Sequence, residues 1–408
     1  MSTSNLVLDQ PVLPAEFYQN PYPFFHELRS QDPVHWSDYW NCWLITRYRD
    51  VVAVTRDWRC FSSVGRSARF LSTLPDELRQ QIKPLEANFT TGLISSDPPN
   101  HTRLRGLVSK AFTPTMIESQ RPQIEAIVNR LLDAVQDAGE MDLATDFAYL
   151  LPTTVLAHLL GVPLEHRDQF NVWVDSINFF FGSRRADPTK ALETQDHLLA
   201  LHDYFRQALE KRRKTPGEDL LTRLATVDYE GEKFSEPEIL ATCQTLLTAG
   251  YETTMSLVNN GIYWLLSNPD QLEKLKKDPS LITSAIEELV RYDSPVQRLV
   301  RVVMEDTEID GRKIRKGQAV TALIGAANRD PEQFSDPDRL DITRADNKHI
   351  GFGFGIHFCI GAPLARVEAA IAISTLIRRF PNLRMTSKKA TWRENVLIRI
   401  PEQFRVTF

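Results

Sequence analysis

The segment GFGFGIHFCIG, Gly351 to Gly361, sets Cys359 inside a loop dense in glycine and phenylalanine. Glycines at 351, 353, 355 and 361 admit backbone conformations closed to other residues and let the main chain come close to a ligand. The sequence that follows, APLARVEAAIAISTLIRRF, has helical periodicity with Pro363 in its first turn. Cys359 therefore lies just ahead of a helix N-terminus, where the dipole favours a thiolate. Thiolate chemistry competes here with a structural buried cysteine, a dinucleotide-binding loop and a redox-sensing thiol. The dinucleotide reading fails on spacing, because neither Gly351-Phe352-Gly353 nor Gly353-Phe354-Gly355 is followed by glycine three positions on.

Other residues of chemical interest fall on stretches that read as helices. Ser235 opens SEPE, in which its hydroxyl and Glu238 fit a capping box and Pro237 suits the first turn. No proline follows until Pro269, so this helix can run some thirty residues, about 45 Å at 1.5 Å per residue. It carries AGYETT, Ala249 to Thr254, near its middle. Gly250 costs about 1 kcal/mol there relative to alanine and so asks for a reason. A second helix, from about Leu281 to Tyr292, carries Glu288 and Arg291 three positions apart, on one face and able to pair. In HTRLR, His101 and Arg105 are four apart and project from the same side of a helix.

The elements that hold these residues are mixed. Pro33 to Val54, PVHWSDYWNCWLITRYRDVVAV, reads as a hairpin passing into a helix. From about Pro114 to Lys214 apolar residues recur three and four apart, which predicts helices. Short strands are expected in VRVVMEDTEIDGRKIRKGQAVTALI, with turns at Asp310-Gly311 and Lys316-Gly317. Residues 1–20 read as an irregular N-terminal segment. The expectation is a mainly α fold with a smaller β-rich region, in one domain over residues 1–408.

Of the 408 residues 42% are hydrophobic and 25% charged, the balance of a globular protein with a large core. A net charge of -5 gives no reason to expect nucleic-acid binding. The amino terminus holds no apolar run long enough for a signal peptide or membrane anchor, so a cytoplasmic location is expected. Cys42, Cys60, Cys243 and Cys359 are widely separated and show neither a CxxC pair nor zinc-ligand spacing.

The cysteine loop resembles the haem-ligand signature of the cytochrome P450 family, F-x-x-G-x-[basic]-x-C-x-G. Phe352, Gly355, His357, Cys359 and Gly361 fill its fixed places. The resemblance implies the cytochrome P450 fold and haem b (iron protoporphyrin IX) bound through Cys359. Sulfur then pushes electron density to iron and favours O–O cleavage, while Phe352 and Phe358 keep water away. AGYETT looks like the family's oxygen-activation motif. The likeness makes Ala249 and Gly250 a groove over the haem, and Glu252 and Thr253 the acid and alcohol that deliver protons to oxygen. Glu288-Leu289-Val290-Arg291 resembles the E-x-x-R pair, with a structural role. His101, Arg105, Arg301 and His357 match positions that contact the haem propionates, where four donors meet two carboxylates. The resemblance covers nearly the whole chain.

It implies a monooxygenase that inserts one atom of dioxygen into a lipophilic small molecule, by hydroxylation or epoxidation. Electrons would come from NAD(P)H through ferredoxin reductase and ferredoxin, with Arg103, Lys110 and Arg366 as candidate docking charges. By the same analogy the substrate pocket draws on Leu93, Phe180, Leu246, Ala249, Val296, Leu299, Val300 and Ile400. A peroxide-driven hydroxylase on the same fold and a non-catalytic haem-binding sensor are the alternatives. Glu252 and Thr253 argue against both, since neither needs a proton relay for dioxygen.

Overall fold

The Glu238 carboxylate accepts the backbone N–H of Ser235 at 2.8 Å, and behind this cap one helix runs without a break from Glu236 to Ser267. Cys243, Leu247, Tyr251, Met255, Val258 and Ile262 are buried along it. That stripe, at three- and four-residue spacing, is what holds a sequence with two interior glycines in a helix. This computed structural model describes residues 7–183, 185–387 and 390–408. They form two compact units: one takes the chain up to Ser62, Val128–Ala148 and Thr253–Phe408, the other Ser63–Ile127 and Tyr149–Glu252.

The first unit contains the β-structure expected near both ends of the chain. Strands Val34–Ser37 and Cys42–Ile45 form the hairpin, with Val34 opposite Ile45. Cys42–Ile45 runs parallel to Ala319–Leu323, which pairs antiparallel with Arg298–Val303, and Phe61–Ser62 completes five strands. Side-chain alternation divides the core between the two faces of this sheet. Leu44, Ala319 and Leu323 pack with Leu13, Phe17, Tyr22 and Phe25, whereas Ile45, Val320 and Ala322 pack with Val51, Val54 and Ile350. At Asp310-Gly311 both residues have positive φ, 50° and 76°, as a two-residue turn of type I′ requires. The turn joins Thr307–Ile309 to Arg312–Ile314.

The N-terminal segment departs from expectation. Residues 1–6 lie outside the described residues, but beyond them Val7–Asp9 forms a 3-10 turn and Ala15–Gln19 a short helix. Leu8, Leu13 and Phe17 are buried against the sheet. Burial of each is worth about 1.5–3 kcal/mol, which holds in place a stretch that shows no regular periodicity.

Three helices of the first unit approach closely at Gly261, where an added Cβ would stand 2.9 Å from Ile373 and 3.1 Å from Leu289. These are the C-terminal half of the long helix, Ile282–Tyr292 and Ala362–Arg379. The second unit is helical, with Asn100–Ala111, Leu150–Leu160, Arg167–Gly182 and Pro188–Lys214 among its helices. The window Leu143–Leu160 is long and apolar enough to cross a membrane, but 72% of it is buried inside the protein, as in an interior helix.

Candidate active site: the cysteine loop and the long helix

Two glycines of the cysteine loop, Gly351 and Gly355, are explained by what presses on them. A Cβ on Gly351 would lie 2.4 Å from Val290 Cγ1, so the loop rests directly on the helix Ile282–Tyr292. Gly355, with φ 70°, sits under helix Tyr48–Arg56, where a Cβ would come within 2.7 Å of the Thr55 carbonyl oxygen. The Cys359 N–H donates to the Phe352 carbonyl at 2.8 Å and closes the loop. A Cβ on Gly361 would stand 3.8 Å from the sulfur.

Of the four cysteines, Cys359 is the one not buried. Cys42 shares a 3.3 Å contact with the Thr321 hydroxyl, and burial pushes the Cys60 and Cys243 thiols up. Beside Cys359, Phe354 and Phe358 are 36% and 41% exposed. A partly open sulfur flanked by open aromatic rings suits a flat apolar group that carries a soft metal, and this donor set fits haem.

The other predicted residues divide between the two units. Phe352, His357, Cys359, Gly361, Arg301, Thr253, Glu288 and Arg291 belong to the first; His101, Arg105, Ala249 and Glu252 belong to the second. Arg301 is buried on Arg298–Val303 and donates to the Val300 carbonyl at 2.9 Å. His357 closes the 3-10 turn Gly355–His357. His101 is 2% exposed, and burial together with the nearby Arg105 charge pushes its imidazole down to about 4. It is neutral at neutral pH and offers an N–H rather than a charge.

On the long helix Glu252 is buried and Thr253 partly exposed. Gly250 packs closely against another helix: a Cβ there would meet Leu156 Cδ1 at 3.1 Å. Ala249, next to it, is exposed. Tyr251 is buried edge-on to Tyr149, with ring centroids 5.6 Å apart.

Glu288 and Arg291 are both fully buried and joined by two hydrogen bonds of 2.8 Å. The remaining Arg291 donors reach the carbonyls of Asn328 and Pro337 at 2.9 Å. Glu288 also accepts from the Asp341 N–H at 2.9 Å and from Arg344 at 3.1 Å. The pair thus ties helix Ile282–Tyr292 to the irregular stretch 328–347. With every lone pair and donor engaged, it meets the condition under which a buried ion pair is tolerated.

The residues expected at the pocket and at the docking face occupy the following places. Leu299 and Val300 are neighbours on a strand and point to opposite faces, Leu299 packing on one core cluster and Val300 on the other. Phe180 and Ile400 are each 1% exposed, and Phe180 packs between Phe70 and Phe181 at 5.5 and 5.1 Å. Leu93, Leu246 and Val296 are partly exposed. As for docking charges, Arg103 is paired with Glu238, Arg366 is clasped by Glu287, and Lys110 donates to the Asp228 carbonyl. Sequence reasoning missed Glu287 and His349, which meet Arg366 beside the cysteine loop. It also missed Asp293, a buried carboxylate shared by Tyr22, Trp264 and Arg399. Both sets come from distant parts of the chain and leave no local signal.

The family model of cytochrome P450 matches residues 78–408. Cytochrome P450 107B1 of Saccharopolyspora erythraea is 42% identical over 90% of this chain and 89% of its own. The vitamin D(3) 25-hydroxylase of Pseudonocardia autotrophica is 38% identical over 96% and 94%. Among solved structures, P450BioI in complex with an acyl carrier protein ligated to hexadec-9Z-enoic acid superposes with a TM-score of 0.89 at 37% identity, covering 97% of this chain and all of that one. The cysteine loop, the mainly helical architecture with its small sheets and these likenesses over nearly the full length agree, and the chain belongs to the cytochrome P450 family.

Proposed function

We propose that the protein inserts one atom of dioxygen into a lipophilic small molecule, by hydroxylation or epoxidation, with Cys359 as the residue whose sulfur would hold the iron of its haem. The protein is a cytochrome P450 monooxygenase with haem b as cofactor; the finer reading rests on the cysteine loop. The observation that carries it is Cys359 itself, the one unburied cysteine, in a loop where Gly351 and Gly355 leave no room for a side chain and Phe354 and Phe358 stand open.

When bound, the haem supplies activation of dioxygen at thiolate-ligated iron. Cys359 contributes the anionic sulfur. Glu252 and Thr253, adjacent on the long helix, supply a carboxyl and a hydroxyl that pass protons toward oxygen. His101 offers a neutral N–H to a propionate, and Arg105, Arg301 and His357 provide the remaining donors. Residues 1–408 act as one catalytic domain in the cytoplasm. Electrons arrive from NAD(P)H through ferredoxin reductase and ferredoxin. A relative named for vitamin D(3), and another solved in complex with an acyl carrier protein ligated to hexadec-9Z-enoic acid, support a lipophilic substrate.

The test is turnover under isotopically labelled dioxygen with a compound that shifts the haem spin state. One labelled atom in the product, only with NADPH, ferredoxin and reductase present, is the expected result. A product whose oxygen comes from water, or turnover that proceeds with peroxide and not with the redox chain, overturns the reading.

A further inference from the structure

We propose that Arg366 and Glu287 form a charge-balancing pair that sets the reduction potential of the haem, Arg366 raising it and Glu287 offsetting it. The inference rests on Cys359 being the axial ligand.

The pair is built from three separate stretches of the first unit. Arg366 clasps the Glu287 carboxylate with Nε at 2.6 Å and a terminal nitrogen at 2.8 Å, the bidentate geometry that fixes a guanidinium in place. His349 holds the carboxylate from another side, its Nε2 lying 3.0 Å from Oε2. The second ring nitrogen of His349, Nδ1, accepts the Gly351 N–H at 3.1 Å. With Nδ1 accepting from Gly351, the hydrogen that faces Glu287 sits on Nε2. The two opposed charges that lie in direct contact are those of Glu287 and Arg366. The Arg366 and His349 contacts hold the Glu287 carboxyl at about 2, against the opposing effect of burial.

Geometry directs the Arg366 charge at the ligand loop. Its guanidinium carbon stacks 4.4 Å from the centre of the Phe352 ring, and the Phe352 carbonyl accepts the Cys359 N–H at 2.8 Å. Arg366 also interacts electrostatically with the Cys359 sulfur, after its stronger contact with Glu287. Reduction adds one electron to the haem, so a cation fixed beside its sulfur ligand favours the reduced state and an anion disfavours it. Arg366 and Glu287 act on that electron with opposite sign. A cluster that only braced the loop would not distinguish them.

The experiment is a dye-mediated titration of the holoenzyme with dithionite, without any redox partner, so that docking plays no part. Arg366→Gln should lower the reduction equilibrium constant about tenfold, equivalent to about 59 mV for a one-electron couple. Glu287→Gln should raise it by a similar factor. The double variant should return close to the parent value, and Arg366→Lys should stay closer to it than Arg366→Gln. Shifts of the two single variants in the same direction, or no shift in either, overturn the proposal. A parent protein whose ferrous–carbon monoxide complex lacks the thiolate-type band overturns instead the reading of Cys359 on which the proposal stands.

Discussion

Replacing Glu368 by glutamine should remove a pH-dependent penalty from folding. Glu368 lies within Ala362–Arg379, 1% exposed, and its Oε2 makes no hydrogen bond. Burial pushes its carboxyl up to about 8 from an ordinary 4.5. Between those values the unfolded chain has lost the proton while the folded chain keeps it. Stability then falls as pH rises, by up to about 1.4 kcal/mol per pH unit. The contribution of the neutral acid is complete below the unfolded value and is lost progressively as pH climbs toward the folded one. Carried to neutral pH the loss reaches about 3 kcal/mol, a large share of the roughly 5–15 kcal/mol that keeps a protein folded. Glutamine has nearly the same shape and does not titrate. Urea unfolding of the haem-loaded parent and of Glu368→Gln, compared from about pH 5 to pH 8, should show a gap in favour of the variant that widens with pH. A gap that stays constant across that range refutes the reasoning.

Three further outcomes follow from the packing and the site. Arg291→Ala strands the fully buried Glu288 carboxylate and should cost about 3–5 kcal/mol, read as a lower denaturation midpoint and a smaller haem-loaded fraction. Gly351→Ala drives a methyl group into Val290 and should cost about 1–3 kcal/mol, with faster haem loss to an acceptor protein while Gly311→Ala, at a site with open space around it, keeps its haem. Thr253→Ala should retain the substrate-induced spectral change and NADPH consumption while product per NADPH falls and hydrogen peroxide rises; unchanged coupling removes Thr253 from the proton path.

What could be read from the sequence was local. The Ser235–Glu238 cap, the Asp310-Gly311 turn and the cysteine loop are each encoded within a dozen residues, and each occurs where its spacing predicts. Gly250 was visible as an anomaly, but its cause, Leu156, lies on another helix. Leu8, Leu13 and Phe17 show no periodicity among the prolines and become core only because strands from 319–323 cover them. The same limit hid the charge cluster: Glu287 meets His349 and Arg366 across 62 and 79 residues, and Asp293 meets Arg399 across 106. The packing of the pocket residues taken by analogy was equally hidden, since strand alternation places Leu299 and Val300 on opposite faces and Phe70 and Phe181 surround Phe180.

The central claim is that Cys359 supplies an anionic sulfur to the haem iron, and one spectrum tests it most directly. The ferrous–carbon monoxide complex of the parent protein should show the thiolate-type absorption band, and Cys359→Ser should lose that band even where some haem stays bound, since a neutral hydroxyl cannot replace a soft anionic ligand. An unchanged band with full turnover in Cys359→Ser contradicts the account.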